Sequence, residues 1–186
     1  MTAIANARIL IMATNGFEQS ELEVPRDTLR DHGATVEIAS TDGKAIKGWD
    51  KTDWGREAEV DLKIEDVDPN RYDALVLPGG QINPDILRTH APAVAAIKAF
   101  AKQDKIIAAI CHAPWLLIEA ELVAGRELTS YHSIKNDVVN AGGRWMDEEV
   151  VADHALITSR NPGDLEAFCN KIVEEIESGH HARKAA

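Results

Sequence analysis

Short apolar runs recur along the chain, separated by longer stretches with helical spacing. Residues 7–13, 72–78 and 105–110 are dominated by Ile, Leu, Val and Ala without polar alternation, a pattern that predicts strands buried on both faces. Residues 35–40 alternate apolar and polar positions, as a half-buried strand does. Helical spacing fills 20–32, with Leu22 and Leu29 on one face and a stop at Gly33, and it returns over 93–102. A further helix is expected over 114–120, with Pro114 in the first turn, where a missing N–H costs nothing. The Gly- and charge-rich segment 41–59 predicts a loop or hairpin excursion, followed by a short strand within 61–64. Beyond the third apolar run come a short strand near 128–130, a helix over 134–140 stopped by Gly142 and Gly143, a hairpin over 150–158 and a closing helix over 164–177. Alternating strands and helices predict an α/β domain spanning 1–186, built on a mostly parallel sheet covered on both faces. The last residues, 179–186, follow Gly179 and are expected to form a flexible tail.

One junction in this pattern carries chemistry. Cys111 stands where the strand over 105–110 must turn abruptly into the helix beginning at Pro114, with small Ala109 and Ala113 on either side. Nucleophile elbows need small neighbours at those spacings, because the tight turn brings them together. A thiol at a helix N-terminus faces free N–H groups and the positive end of the dipole, so Cys111 is expected to favour its thiolate. The competing reading is an inert buried thiol. Cys169 shows what that looks like: Leu165, Phe168, Cys169, Ile172, Val173 and Ile176 form one apolar stripe, so Cys169 is expected to be core.

Composition narrows the partners. At 186 residues the chain is long enough to bury a full core without staples. Two distant cysteines, no apolar leader and no run long enough to cross a bilayer lead to the expectation of a soluble, cytoplasmic protein. The formal net charge of -11 argues against nucleic-acid binding, which needs clustered Lys and Arg, and leaves small molecules or proteins as partners. No cofactor motif stands out. His32, His90, His132 and His154 are scattered without metal-ligand spacing, and no motif supports a zinc site through Cys111, His112 and Glu18.

Ligands in open α/β sheets bind beyond the carboxyl ends of the strands. Three loops meet there: 14–19 with Glu18, 78–80 with Gly79 and Gly80, and the elbow with Cys111 and His112. Glu18 reads either as a solvated acid near a helix start or as a carboxyl group with a raised pKa that hydrogen-bonds the sulfur and shuttles a proton. Gly79 and Gly80 read either as a plain turn or as N–H donors to an oxyanion. Adjacency alone does not bring the His112 ring to the sulfur. Trp115 is expected to wall the pocket, while Trp49 and Trp54 pack on each other or across a subunit boundary.

Four ordered blocks now carry a resemblance: Gly16 to Leu22, Asp73 to Gly80, Ala109 to Pro114, and Thr129 to Tyr131 followed by Ile134 to Asp137. They resemble the DJ-1/PfpI superfamily, and within it the PfpI-like intracellular protease and general stress protein branch. The resemblance implies a flavodoxin-like three-layer sandwich with Cys111 on the elbow, Glu18 bonded to its sulfur and His112 beside it. It implies an active site in which Gly79 and Gly80 supply the oxyanion contacts and Trp115 and Tyr131 line the substrate side. Members are described as cysteine peptidases, as glyoxalases or deglycases acting on methylglyoxal and its protein adducts, and as stress proteins with chaperone-like behaviour. The alternative to an enzyme is a non-catalytic chaperone or a redox sensor in which Cys111 oxidises reversibly. It further implies a homodimer or hexamer in which Asp85 of a neighbouring subunit approaches His112. Ala113 stands where many relatives carry Gly, and the loop from Gly79 to Asp85 is one residue longer than usual.

Overall fold

The computed structural model describes residues 2–178. The expected tail at 179–186 lies outside them. In chain order the elements are β1 (Arg8–Met12), β2 (Phe17–Glu18), α1 (Gln19–Asp31), β3 (Thr35–Ser40), β4 (Ile46–Asp50), β5 (Asp53–Ala58), β6 (Leu62–Lys63), β7 (Ala74–Leu77) and α2 (Ile82–Leu87). They continue with α3 (Ala91–Lys102), β8 (Ile106–Ile110), α4 (Pro114–Glu119), β9 (Glu127–Leu128), α5 (Lys135–Asn140), β10 (Arg144–Trp145), β11 (Val150–Asp153), β12 (Leu156–Ser159) and α6 (Leu165–Ser178).

Seven strands form one sheet in the order β11-β12-β8-β7-β1-β3-β6, parallel throughout except for the β11–β12 hairpin at one edge. Period-2 alternation sorts the apolar residues of the buried strands between two cores. Ile9, Ile11, Val76, Ala108 and Ile110 face the layer of α1 and α6, meeting Leu22, Leu29, Phe168 and Ile172. Leu10, Met12, Leu75, Leu77, Ile107 and Ala109 face the layer of α3, α4 and α5, meeting Ile97, Phe100, Leu116 and Val138. The three-layer α/β architecture is therefore the one expected. Cys169 is 2% exposed, on the apolar stripe of α6.

The excursion at 41–59 is a hairpin of β4 and β5, whose Trp49 and Trp54 rings meet edge to face at 5.6 Å. Self-packing therefore accounts for this pair. Periodicity missed α2, whose Pro and Asn content masks a single helical turn and a half, and β10, which is too short to carry a period.

Chain order decides where a ligand can sit. From β1 the chain moves to β3 and β6 on one side and then crosses to β7 on the other, so the sheet has its switch point between β1 and β7. The loops after β1, β7 and β8 diverge there and leave a crevice at their carboxyl ends.

Candidate active site

Cys111 has φ +65°, a left-handed conformation that is costly for any residue with a Cβ. Hydrogen bonds on both sides hold it there: its N–H donates to the Ser159 carbonyl at 3.0 Å, and its carbonyl accepts from the Tyr131 N–H at 2.8 Å. Strain maintained by surrounding structure is a mark of functional positions. Ala113 has φ -58°, an ordinary helical value, so the elbow makes no demand for glycine there. Gly79 is different. A Cβ at Gly79 would stand 2.6 Å from the Cys111 Cβ and 2.6 Å from Glu21 Oε2, so the backbone of this loop approaches the elbow as closely as glycine allows.

Around Cys111 lies a pocket of about 540 Å³ lined by Glu18, Glu21, Trp49, Lys51, Gly80, His112 and Tyr131, among others. Its floor is the elbow, and its walls are the loops after β1 and β7. Asn83, fully buried at the start of α2, ties those loops together: its Oδ1 accepts from the Thr14 N–H at 2.7 Å, and its Nδ2 donates to the Pro78 and Gly79 carbonyls at 2.8 and 3.2 Å. Sequence reasoning passed over Asn83 because it lies in the turn and a half of helix that periodicity missed.

The carboxyl group facing the sulfur belongs to Glu21, and the expectation for Glu18 is corrected accordingly. Glu21 is 0% exposed, its Oε2 accepts the Gly79 N–H at 2.9 Å, and it is in hydrogen-bonding contact with Cys111. Glu18 sits at the rim, half-buried, within 3.4 Å of the Ser20 hydroxyl. The reason is where the helix begins. Because α1 starts at Gln19, Glu18 remains in extended backbone, while Glu21 lies in the first helical turn on the face shared with Leu22, Pro25 and Leu29. A carboxylate on the buried stripe of an amphipathic helix was the available signal.

Electrostatics reverse another expectation. Burial raises Glu21 to about 8, helped by the Glu18 charge. Burial and the Glu21 charge raise the Cys111 thiol above its ordinary value, outweighing the Gly80 and His112 N–H groups that pull it down. The helix-dipole argument for a ready thiolate therefore fails. The site is too dry, α4 is short, and an acid faces the sulfur. Neither group of the pair ionises easily beside the other, so both keep their protons below about pH 8 and the pair gives one up as pH rises through that value. Glu21 Oε1 is buried without a hydrogen-bond partner among the described residues, which disfavours the charged carboxylate. Burial also raises Glu18, opposed by the Ser20 hydroxyl and assisted by Asp50.

His112 is 4% exposed, with Nδ1 3.2 Å from Cys111 Sγ and Nε2 3.1 Å from Ser133 Oγ. Burial, with His132 adding to it, lowers His112 to about 4, so the ring is neutral at physiological pH. Tyr131 stacks on it at 4.8 Å and lines the pocket. Trp115 does not line the pocket. Its ring flanks His112 at 5.2 Å, and its N–H donates to Asp137 at 2.8 Å. The Gly79 N–H is committed to Glu21, so Gly80, with φ +77°, is the glycine whose N–H faces the sulfur. Asp85 is exposed and pairs with Arg88 of its own helix at 2.6 Å. Among the described residues no helix is long and apolar enough to cross a membrane, and no three His, Cys, Asp or Glu side chains converge as metal ligands.

Burial raises Cys169 less than Cys111, to about 11, so acidity favours Cys169 and access favours Cys111: Cys111 lines the pocket, whereas Cys169, 2% exposed, packs on the stripe of α6. Limiting iodoacetamide is expected to label Cys111 first, at a rate that climbs with pH through the alkaline range. Peptide mapping by mass spectrometry checks this, and equal labelling of Cys169 would contradict it.

Comparisons with known proteins agree with this fold. Deglycase PfpI of Pyrococcus furiosus is 40% identical over 167 residues, covering 90% of this chain and 98% of the relative. General stress protein 18 of Bacillus subtilis is 40% identical over 172 residues, covering 91% and 98%. The crystal structure of Drosophila melanogaster DJ-1beta matches with a TM-score of 0.84 at 32% identity, covering 92% of this chain and 90% of that one. The model of the DJ-1/PfpI family matches residues 7–175, and with these relatives it shows that the chain belongs to the DJ-1/PfpI family.

Proposed function

We propose that this protein is an enzyme in which Cys111 attacks the aldehyde carbon of methylglyoxal or of its adducts on amines and thiols. The observation that carries this reading is the buried Glu21 carboxyl against the Cys111 thiol, a proton carrier in hydrogen-bonding contact with a nucleophile. The name of the deglycase relative points to the same chemistry.

Once the pair has given up one proton to solvent, with the other on Glu21, the sulfur attacks as thiolate. The S–C bond forms, the carbonyl electron pair moves onto oxygen, and Glu21 gives that oxygen its proton, producing a hemithioacetal. The Gly80 and His112 N–H groups stand where they can steady the oxygen while its charge develops. Glu21, now a carboxylate, takes the proton from the former aldehyde carbon and returns it to the neighbouring carbonyl carbon, with the oxygens exchanging a proton. The product is an isomer, the lactoyl thioester of Cys111. Water then releases lactate and restores the thiol. An adduct on an amine enters by the same attack, the amine leaving with a proton as the S–C bond forms.

Amide cleavage asks for more. The leaving amine must be protonated, and a neutral His112 resting on a hydroxyl supplies no ready acid. Purified protein is therefore expected to convert methylglyoxal to lactate much faster than it releases peptides from casein. Enzymatic lactate measurement beside a casein assay tests this. Casein turnover without lactate would replace the aldehyde reading with a peptidase one, and suppression of aggregation with neither activity would favour a chaperone.

A further inference from the structure

We propose that Asn83 is the positioning residue for the oxyanion donor: by gripping the Gly79 carbonyl it fixes the Gly79–Gly80 peptide plane and so aims the Gly80 N–H at the oxygen of the carbonyl that Cys111 attacks. The inference deepens the aldehyde reading and rests on it.

In a trans peptide the C=O and the N–H point to opposite sides of the chain, so whatever grips one of them orients the other. The Gly79 carbonyl and the Gly80 N–H belong to one such unit. That carbonyl accepts from Asn83 Nδ2 at 3.2 Å and from the Glu18 N–H at 3.4 Å, while the Gly80 N–H lies on the far side, toward Cys111. A grip is needed because glycine passes readily between the conformations that a peptide flip requires, and Gly80 already stands at φ +77°. Bulk cannot replace it. A Cβ at Gly80 would stand 2.5 Å from the Gly16 carbonyl oxygen.

Asn83 is built for this hold. It is 0% exposed, its Oδ1 accepts from the Thr14 N–H at 2.7 Å, and its Nδ2 donates to the Pro78 carbonyl at 2.8 Å as well as to that of Gly79. Thr14 offers the amide a donor and the two carbonyls offer acceptors, so only one orientation of the side chain satisfies all three. The Gly79 N–H is given to Glu21 Oε2 at 2.9 Å. Both polar groups of Gly79 are thus committed, and the Gly80 N–H is left for the substrate oxygen.

The step that depends on this geometry is the first. As the S–C bond forms, the carbonyl electron pair moves onto oxygen, and a donor lowers that barrier most when it is already in place. Before any substrate arrives, the same N–H faces the sulfur and favours its ionisation. Loss of Asn83 therefore has two signatures, one of which needs no aldehyde.

Two variants of the full chain, Asn83→Ala and Asn83→Asp, are compared with Leu87→Ala, which removes an equally buried apolar side chain from the same helix. Asn83→Asp keeps the volume and the oxygen for the Thr14 N–H but turns a second oxygen on the two carbonyls, so it remains measurable if the alanine cavity prevents folding. Both Asn83 variants should lower kcat on methylglyoxal roughly 10- to 100-fold with KM little changed, somewhat less than the loss of an oxyanion donor outright. Both should also slow iodoacetamide labelling of Cys111 at pH 9 by roughly threefold or more, since the donor has turned from the sulfur. Leu87→Ala should lower Tm while leaving kcat and labelling like those of the parent. Parent-like kcat and labelling in Asn83→Asp, or the same losses in Leu87→Ala, would overturn the role given to Asn83. Slower labelling in the Asn83 variants of a protein that is inert to methylglyoxal would overturn the aldehyde reading while supporting the link from Asn83 to Gly80.

Discussion

Glu21→Gln is expected to reduce lactate formation from methylglyoxal by about 10²- to 10⁴-fold, because it removes the group that moves protons between oxygen and carbon. Glu18→Gln, at the rim, should cost far less, so the two substitutions together distinguish a buried acid from a merely nearby one. Stability should move in the opposite direction to activity. Glu21 has a folded pKa of about 8 against an ordinary 4.5, so between those values the folded protein holds a proton that the unfolded chain has lost. Its contribution is fully present below about 4.5 and is lost as pH rises through about 8. The parent should therefore lose on the order of a few kcal/mol across that window, whereas Glu21→Gln, with nothing to ionise, should show a flatter profile and exceed the parent at the alkaline end. Denaturant titrations from pH 5 to 9 provide the measurement. A parent whose stability is level over that range would mean that Glu21 is ionised throughout.

Cys111→Ala should bring turnover down to background, since among the described residues no other thiol lines the pocket. The replacement residue then reports on strain. Alanine retains a Cβ at φ +65°, whereas glycine adopts that conformation freely, so Cys111→Gly should be about 1 kcal/mol more stable than Cys111→Ala. Equal unfolding midpoints for the two would show that the elbow relaxes once the thiol is gone. If either inactive variant still suppresses aggregation of a client protein, that behaviour belongs to the surface and not to the thiol.

Glu18 and Glu21 show where local pattern stops being sufficient. Both are acids near the start of one helix, and each successive helical residue turns about 100° around the axis. Which one faces the elbow depends on where extended backbone gives way to helix. That boundary is fixed by β2 pairing with β4 and by the Glu18 N–H reaching the Gly79 carbonyl, contacts with residues far away in sequence. His112 makes the same point. Its position next to Cys111 was plain, but its neutrality comes from burial, with His132 adding to it, in a fold that stacks Tyr131 on the ring.

The strands and most helices were legible in the sequence by itself, because apolar runs and helical stripes are local consequences of which faces must be buried. So were the elbow at Cys111, through its small neighbours and the helix-starting Pro114, and the core role of Cys169, through its stripe. Only the tertiary structure decided that Glu21 faces the sulfur, that Gly79 is committed to Glu21 while Gly80 faces the thiol, that Trp115 stands behind His112 instead of in the pocket, and that Cys111 resists ionisation. Each of these depends on burial and on donors brought from other loops. Dielectric surroundings and hydrogen-bond partners are properties of the assembled fold, and a pKa follows them more closely than it follows neighbours along the chain.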